Sequence, residues 1–343
     1  MKKIMLHAYC ADNLGDDLFI KYICDSFPNT SFHLQVDGEF GAGLSQIKNL
    51  TVHRPGFCGR GLNKITGRWV TREHLARGCD GLVHVGGSVF IQNGNWRRKQ
   101  EQYSRLLQCA KEAYVIGANF GPYDTADYLD SYKSLVASRL QGICFRDSYS
   151  YGLFSEGDNV SWAPDILFAP DYSKYISCDG NRAVISLMNK GEEYLCKMAE
   201  LGDLLSSSGY EVTLMSFCSR EGDTKACMTV SERMKAPCRI YFYAGDPEEA
   251  LSVFGGADLI VASRFHSMIL GWAMGKRVFP VVYSEKMRHV IDDICPDCNF
   301  CHVQDIRRLN VRAVLDADAA PGNLSELRRL AGQHIELIRG LVE

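Results

Sequence analysis

Short apolar runs alternate with longer stretches of helical periodicity from one end of the chain to the other. That alternation predicts parallel sheets with crossover helices rather than a sandwich or a bundle. In the first half, strands are expected at 2–8, 31–36, 80–85, 113–118 and 142–146. The second half reads as strand 182–188, helix 192–208, strand 210–217, helix 222–235, strand 238–243, helix 247–254, strand 258–262, helix 265–275 and strand 277–282. The fold class is therefore α/β, with two doubly wound, mainly parallel Rossmann-like domains. Residues Ala169-Pro170-Asp171 and Ser177-Cys178-Asp179-Gly180-Asn181 read as a linker, which sets the domains at 1–175 and 176–343, the second carrying the C-terminal helices. Open sheets of this kind place ligands at the carboxyl ends of their strands, so a pair facing a common cleft is expected. Residues 37–70 contain Arg54-Pro55-Gly56 and Gly59-Arg60-Gly61 and read as a long mobile surface loop, with a lid as the second reading.

Composition narrows the partners. Across 343 residues, 38 Lys plus Arg against 41 Asp plus Glu give a net charge of -3, which provides no field for a polyanion, so no nucleic-acid partner is expected. The start, MKKIMLHAYCADNLGDD, reads as a first strand rather than a signal peptide. No run approaches the roughly 18 apolar residues of a membrane span, so any membrane association would be peripheral. The 14 cysteines lack the paired spacing of a secreted scaffold. Reduced thiols and a cytoplasmic location are expected, with the inner face of the membrane as a permitted station. The Asn-x-Ser/Thr sequons at Asn29, Asn49, Asn159 and Asn323 then carry no meaning.

Four strand ends carry candidate chemistry. Leu259 to Ala262 is an apolar strand that stops at Ser263-Arg264-Phe265-His266, after which the pattern turns helical. A helix N-terminus there favours an anion, Arg264 suits a carboxylate or phosphate, and His266 suits an oxyanion or a proton transfer near neutral pH. The competing reading makes Arg264 a cap on a neighbouring carbonyl and His266 a structural group. Arg146 follows a second strand and precedes the capping pair Asp147-Ser148, as a partner for Arg264 or as a surface salt bridge. Gly86-Gly87-Ser88 follows a third strand as a turn open to close approach by phosphate, or simply as a tight turn; it lacks the Gly-Lys-Ser/Thr of a P-loop. Asn13-Leu14-Gly15-Asp16 after the first strand offers Asp16 as a base or as a helix start. Trp96-Arg97-Arg98 reads as a sugar-stacking edge or an exposed helix start. Cys295, Cys298 and Cys301, with His302, invite a zinc reading, but no separate Cys-x-x-Cys pair completes the set and no metal is assigned.

The order and spacing of these motifs resemble the polysaccharide pyruvyl transferase family over nearly the whole chain. The resemblance rests on Asn13-x-Gly15-Asp16, Gly86-Gly87-Ser88 with Gln92, Gly117 through Gly121-Pro122, Phe145-Arg146-Asp147-Ser148, Asp165, Ser263-Arg264-Phe265-His266 and Tyr283-Ser284-Glu285-Lys286. Ser88 stands where the family commonly has a third glycine. The resemblance implies a GT-B-like pair of domains and phosphoenolpyruvate as donor substrate, with no cofactor and no metal. It also implies a sugar or polysaccharide-precursor acceptor that receives a pyruvyl ketal, the first domain lying on the acceptor side and the second on the donor side. It places Ser263, Arg264, Phe265, Arg146, Gly86, Gly87 and Ser88 on the donor, and His266 and Asp16 in catalysis. Asn13, Gln92 and Lys286 support these or contact the acceptor, which loops 37–70 and 93–99 also meet. The rival readings are a nucleotide-sugar glycosyltransferase of the same architecture and a non-catalytic carbohydrate-binding protein.

Overall fold

The computed structural model describes residues 1–41, 43–177 and 180–343; Cys178 and Asp179 of the expected linker lie outside the described residues. The chain forms two compact units, Met1–Cys10 with Asp16–Ile166 and Leu330–Glu343, and Ala11–Gly15 with Leu167–Arg329.

The first unit runs β1 (Lys3–His7), α1 (Leu14–Ser26, whose first two residues belong to the second unit), β2 (Ser31–Gln35), β3 (Leu50–His53), α2 (Phe57–Thr66), α3 (Val70–Arg77), β4 (Gly81–Phe90), α4 (Trp96–Cys109), β5 (Ala113–Phe120), α5 (Ala126–Arg139), β6 (Gly142–Phe145), α6 (Ser148–Phe154) and β7 (Val160–Trp162). Its seven strands pair in the order β3-β2-β1-β4-β5-β6-β7, all parallel. The central strands are buried along most of their length, which is why they read as continuous apolar runs. The second unit runs β8 (Arg182–Ser186), α7 (Glu192–Ser207), β9 (Glu211–Ser216), α8 (Asp223–Arg233), β10 (Arg239–Phe242), α9 (Pro247–Gly255), β11 (Leu259–Ala262), α10 (Phe265–Ala273), β12 (Arg277–Val282), α11 (Glu285–Ile294), β13 (Cys301–His302) and α12 (Leu324–Ala331). Its six strands, again all parallel, lie in the order β10-β9-β8-β11-β12-β13. In each sheet the order reverses once, between β1 and β4 and between β8 and β11. Those reversals are where open α/β sheets form ligand crevices.

Several elements differ from the expectation. Within residues 37–70, β3 pairs with β2 and α2 closes on Gly67 at φ 64°, so this stretch holds a strand and a helix. Four strand residues and a helix containing Gly59 and Gly61 are too short and too glycine-rich to announce themselves. Gly86-Gly87-Ser88 is no turn: it lies inside β4, which runs on to Phe90 past a register irregularity between Gly87 and Phe90. The crossover between units follows Ile166 rather than residue 175, and the chain's last helix, α13 (Gln333–Val342), belongs to the first unit rather than the second. Its apolar face buries His334, Ile335, Ile338, Leu341 and Val342, and it packs on β4, β5 and β6. A side chain at Gly142 would meet Leu337 at 2.8 Å, so glycine there makes room for this helix. No helix among the described residues is long and apolar enough to cross a membrane.

His334 ties α13 to the sheet: its Nδ1 accepts the Gly117 N–H at 3.3 Å and its Nε2 donates to the Pro164 carbonyl at 3.0 Å. Burial lowers this imidazole to about 4. The unfolded ring takes up a proton near pH 6.5, so the stability this group contributes is full above that pH and is lost as pH falls toward 4. Urea unfolding should therefore show a drop between pH 7 and pH 4.5, of which His334→Gln removes about 2 kcal/mol. An unchanged pH dependence in the variant would refute the assignment.

Candidate active site

In the second unit the carboxyl ends of β8 and β11 meet at the strand-to-helix turn Ser263-Arg264-Phe265-His266. Buried hydroxyls hold this turn. Ser186, the last residue of β8, accepts the N–H of Ser263 at 3.0 Å and of Arg264 at 3.3 Å, and its hydroxyl meets that of Ser267 at 2.6 Å. Tyr194, from α7, donates to Ser263 Oγ at 2.7 Å. Ser263 is thus a structural member of the turn. Ser186, Tyr194 and Ser267 belong to no motif in the sequence, because single hydroxyls carry no local signal.

Arg264 is 6% exposed, and its guanidinium is claimed by carboxylates. It donates from Nε to Asp223 Oδ2 at 2.9 Å, from Nη2 to the other oxygen of Asp223 and from Nη1 to Glu221. Asp223, wholly buried at the start of α8, also accepts the N–H groups of Phe217 and Cys218 at 3.2 and 3.0 Å. Burial pushes its carboxyl upward, while Arg264 and the two backbone donors pull it down. The arginine therefore locks the turn to the β9–α8 connection, and neither a carbonyl cap nor an open anion clamp describes it.

His266 is partly buried and packs edge-on against Phe265, with ring centroids 5.1 Å apart. Its imidazole lies against Gly15: a Cβ built on Gly15 would overlap the ring. Asn13 Oδ1 accepts the Gly15 N–H at 3.1 Å, Asn13 bridges to Cys218, and the Leu14 N–H bonds to the Phe217 carbonyl at 3.2 Å. The Asn13-x-Gly15 motif is thus the seat of His266. Beside it, Lys286 at the start of α11 lies over the rings of Phe265 and Tyr283 at 5.6 and 5.4 Å. Lys190, which the sequence reading passed over, approaches Tyr283 at 4.9 Å and is exposed. Its neighbours Asn189 and Gly191 line a cavity of about 300 Å³ together with Lys225 and Arg233.

The first unit gathers its own set. Arg146, only 2% exposed, donates to Asp165 Oδ2 at 3.1 Å and to Asn119 Oδ1 at 2.7 Å. Ser88 also donates to Asn119 Oδ1, at 3.3 Å. Asn119 lies inside the quoted Gly117–Gly121 segment but was not singled out. The surface salt bridge considered for Arg146 is instead a buried ion pair. Asp147 caps α6, accepting the Ser150 N–H at 2.7 Å. Gly86 is small because a side chain would meet the Gly117 carbonyl oxygen of β5 at 2.7 Å, so its glycine serves strand packing. Gly87, at φ 92°, faces Asp16, whose Oδ1 lies 3.4 Å from where a Cβ would stand. Gln92 ties the loop before α5, accepting from the N–H of Asp124 and Thr125 at 2.7 and 3.1 Å and donating to Thr125 Oγ1 at 3.0 Å. Trp96 begins α4, packs on Tyr128 and carries Arg97 over its ring at 4.4 Å, the helix-start reading. Among the described residues no group of three His, Cys, Asp or Glu side chains gathers to hold a metal, Cys295, Cys298 and Cys301 included.

Comparison with known proteins places this arrangement. The model of a family described as polysaccharide pyruvyl transferase matches residues 9–285, which include every residue assigned above from Asn13 to Tyr283. No curated protein matches at a significant level. Among solved structures, HepE of Anabaena in complex with UDP and glucose aligns over 99% of this chain and 98% of its own, at 11% identity and a TM-score of 0.58. S. aureus MnaA with UDP aligns over 98% and 94%, at 11% identity and 0.61. MurG of Acinetobacter baumannii aligns over 99% and 100%, at 10% identity and 0.53. At such identities the likeness is one of fold, the paired parallel-sheet α/β domains of GT-B glycosyltransferases.

Proposed function

The chain belongs to the polysaccharide pyruvyl transferase family, and from that premise we propose that it transfers a pyruvyl group from phosphoenolpyruvate to two hydroxyls of a sugar or polysaccharide-precursor acceptor. The carrying observation is the family match across 9–285, which spans the strand-end turns of both units. In the reaction, one acceptor oxygen bonds to C2 of the donor while a proton is delivered to its methylene carbon. The second oxygen then displaces phosphate, which leaves with the remaining proton, and the ketal is closed. His266, seated on Gly15, is the proton donor or the partner of the phosphate. Lys190 and Lys286 supply the cationic rim for the donor's phosphate and carboxylate. Arg264, held by Asp223 and Glu221, acts on the donor by fixing the turn that receives it, and Arg146, held by Asp165, fixes a strand end of the first unit. Asp16, beside Gly87, is retained as a holder of an acceptor hydroxyl. The work is that of a cytoplasmic enzyme, for which the inner face of the membrane is a permitted station.

Solved structures with UDP in their names keep a nucleotide-sugar donor as the rival, but fold does not choose the reaction. Thermal unfolding with each donor separates the readings. Phosphoenolpyruvate at one hundred times its Kd should stabilise the chain by about 2.7 kcal/mol. Lys190→Ala should weaken that response at least several-fold. Stabilisation by UDP-glucose alone would overturn the proposal, and a response to glycans alone would favour the carbohydrate-binding reading.

A further inference from the structure

In the first unit the strand order reverses between β1 and β4, the place where open α/β sheets receive ligands. The last residue of β1, His7, stands in register with His84 of β4. His84 is buried and its Nδ1 is engaged by the Tyr103 hydroxyl at 2.7 Å. The His7 ring is wedged among aromatic rings: His84 at 4.6 Å, Trp69 at 5.4 Å and Tyr103 at 6.1 Å between centroids. It is partly exposed, and among the described residues no hydrogen bond reaches either of its ring nitrogens. A side chain so firmly oriented, with its polar atoms left to whatever enters from solvent, is built to meet a ligand.

The surroundings set the class of that ligand. Arg72, whose charge reaches His7, stacks on Trp69 at 5.5 Å and is paired with Asp37 at 2.6 Å. The next acid on α3, buried Glu73, is paired with Arg68 and lies 3.8 Å from Arg77. Burial, the neighbouring His84 and the charge of Arg72 together hold His7 well below its ordinary value, so at neutral pH it is an uncharged imidazole with one donor and one acceptor nitrogen. Tyr103, the other titratable group facing it, is pushed upward by burial and stays a neutral phenol. Locally compensated charge, a half-buried indole and one imidazole with an open donor and acceptor suit a neutral polyol better than an anion.

We propose that this reversal point is the acceptor subsite, in which His7 hydrogen-bonds a hydroxyl of a pyranose whose C–H face rests on the half-buried Trp69. The assignment rests on the pyruvyl-transfer reading for its place in a reaction, but not for its chemistry. His7 is a specificity residue: it selects which hydroxyl pair is presented and takes no part in holding the donor.

The test observes the histidine rings of isotope-labelled native chain by NMR. Methyl β-galactoside, methyl β-glucoside, methyl α-mannoside and methyl N-acetylglucosaminide are titrated in turn, and phosphoenolpyruvate separately. The expected result is a saturable shift of the His7 resonances with at least one glycoside. His7→Ala should weaken that glycoside roughly five- to tenfold, the loss of one hydrogen bond, with phosphoenolpyruvate affinity unchanged. If phosphoenolpyruvate binds and no glycoside moves His7, the subsite is wrong and the pyruvyl-transfer reading stands. If a glycoside moves His7 and phosphoenolpyruvate binds nowhere, the subsite stands and the donor reading falls. The wild-type titration decides the matter even if His7→Ala fails to fold.

Discussion

Gly15→Ala is expected to reduce turnover at least a hundredfold, the scale of a lost general acid. Residue 15 lies in the first turn of α1 with no positive φ, so helix propensity alone predicts that alanine would stabilise the chain by about 1 kcal/mol. The structure predicts the reverse. The new methyl group would overlap the His266 imidazole, and the ring must leave its seat or the turn must shift. Overpacking of this kind costs roughly 1–3 kcal/mol. Steady-state phosphate release and a thermal melt on the same preparation check both halves. A stabilised variant with full turnover would show that His266 is not held by Gly15.

The second large effect concerns Asp223. Asp223→Ala leaves the Arg264 guanidinium in a buried site with its main partner gone, and strips the Phe217 and Cys218 N–H groups of their acceptor. Breaking a buried pair from one side costs about 3–5 kcal/mol. Removing both charges together, as Asp223→Leu with Arg264→Met, should recover much of that loss, because no uncompensated buried charge remains and Glu221 reaches solvent. The comparison also separates two roles for Arg264. If its charge were reserved for the donor, freeing it by Asp223→Ala would tighten phosphoenolpyruvate binding; as a lock on the turn, its release should loosen binding. Urea unfolding and donor titration of the single and double variants provide the readouts.

The parallel α/β architecture was legible because strands covered on both faces must be apolar along their length, as β8, β11 and β12 are. The short strands were not. β3, β7 and β13 lie at sheet edges and are only partly buried, so four, three and two residues leave no period to detect. The helical pattern of α13 is plain in the sequence, but which sheet it covers depends on a contact such as that between Gly142 and Leu337. The site was half visible in the same sense. Arginines after strands read as anion ligands, yet carboxylate partners lie 19 residues away for Arg146 and 41 for Arg264. Charge pairing over such distances belongs to the fold rather than to any local motif. Asp165 has a place in the motif pattern, but its purpose is visible only in the fold, beside Arg146. Gly15 behaved likewise: a glycine in a short motif became the floor beneath a histidine 251 positions later, 266 − 15.

The central claim is the identity of the donor, and isotope transfer tests it most directly. The chain is incubated with phosphoenolpyruvate carrying ¹³C at C2, or with UDP-glucose carrying ¹³C in its sugar, and in each case with a mixture of bacterial surface oligosaccharides. The account predicts that the pyruvyl label enters an oligosaccharide as a ketal carbon, with one inorganic phosphate released per transfer and no transfer from UDP-glucose. Glucosyl label in the glycan with release of UDP, and phosphoenolpyruvate left intact, would contradict it.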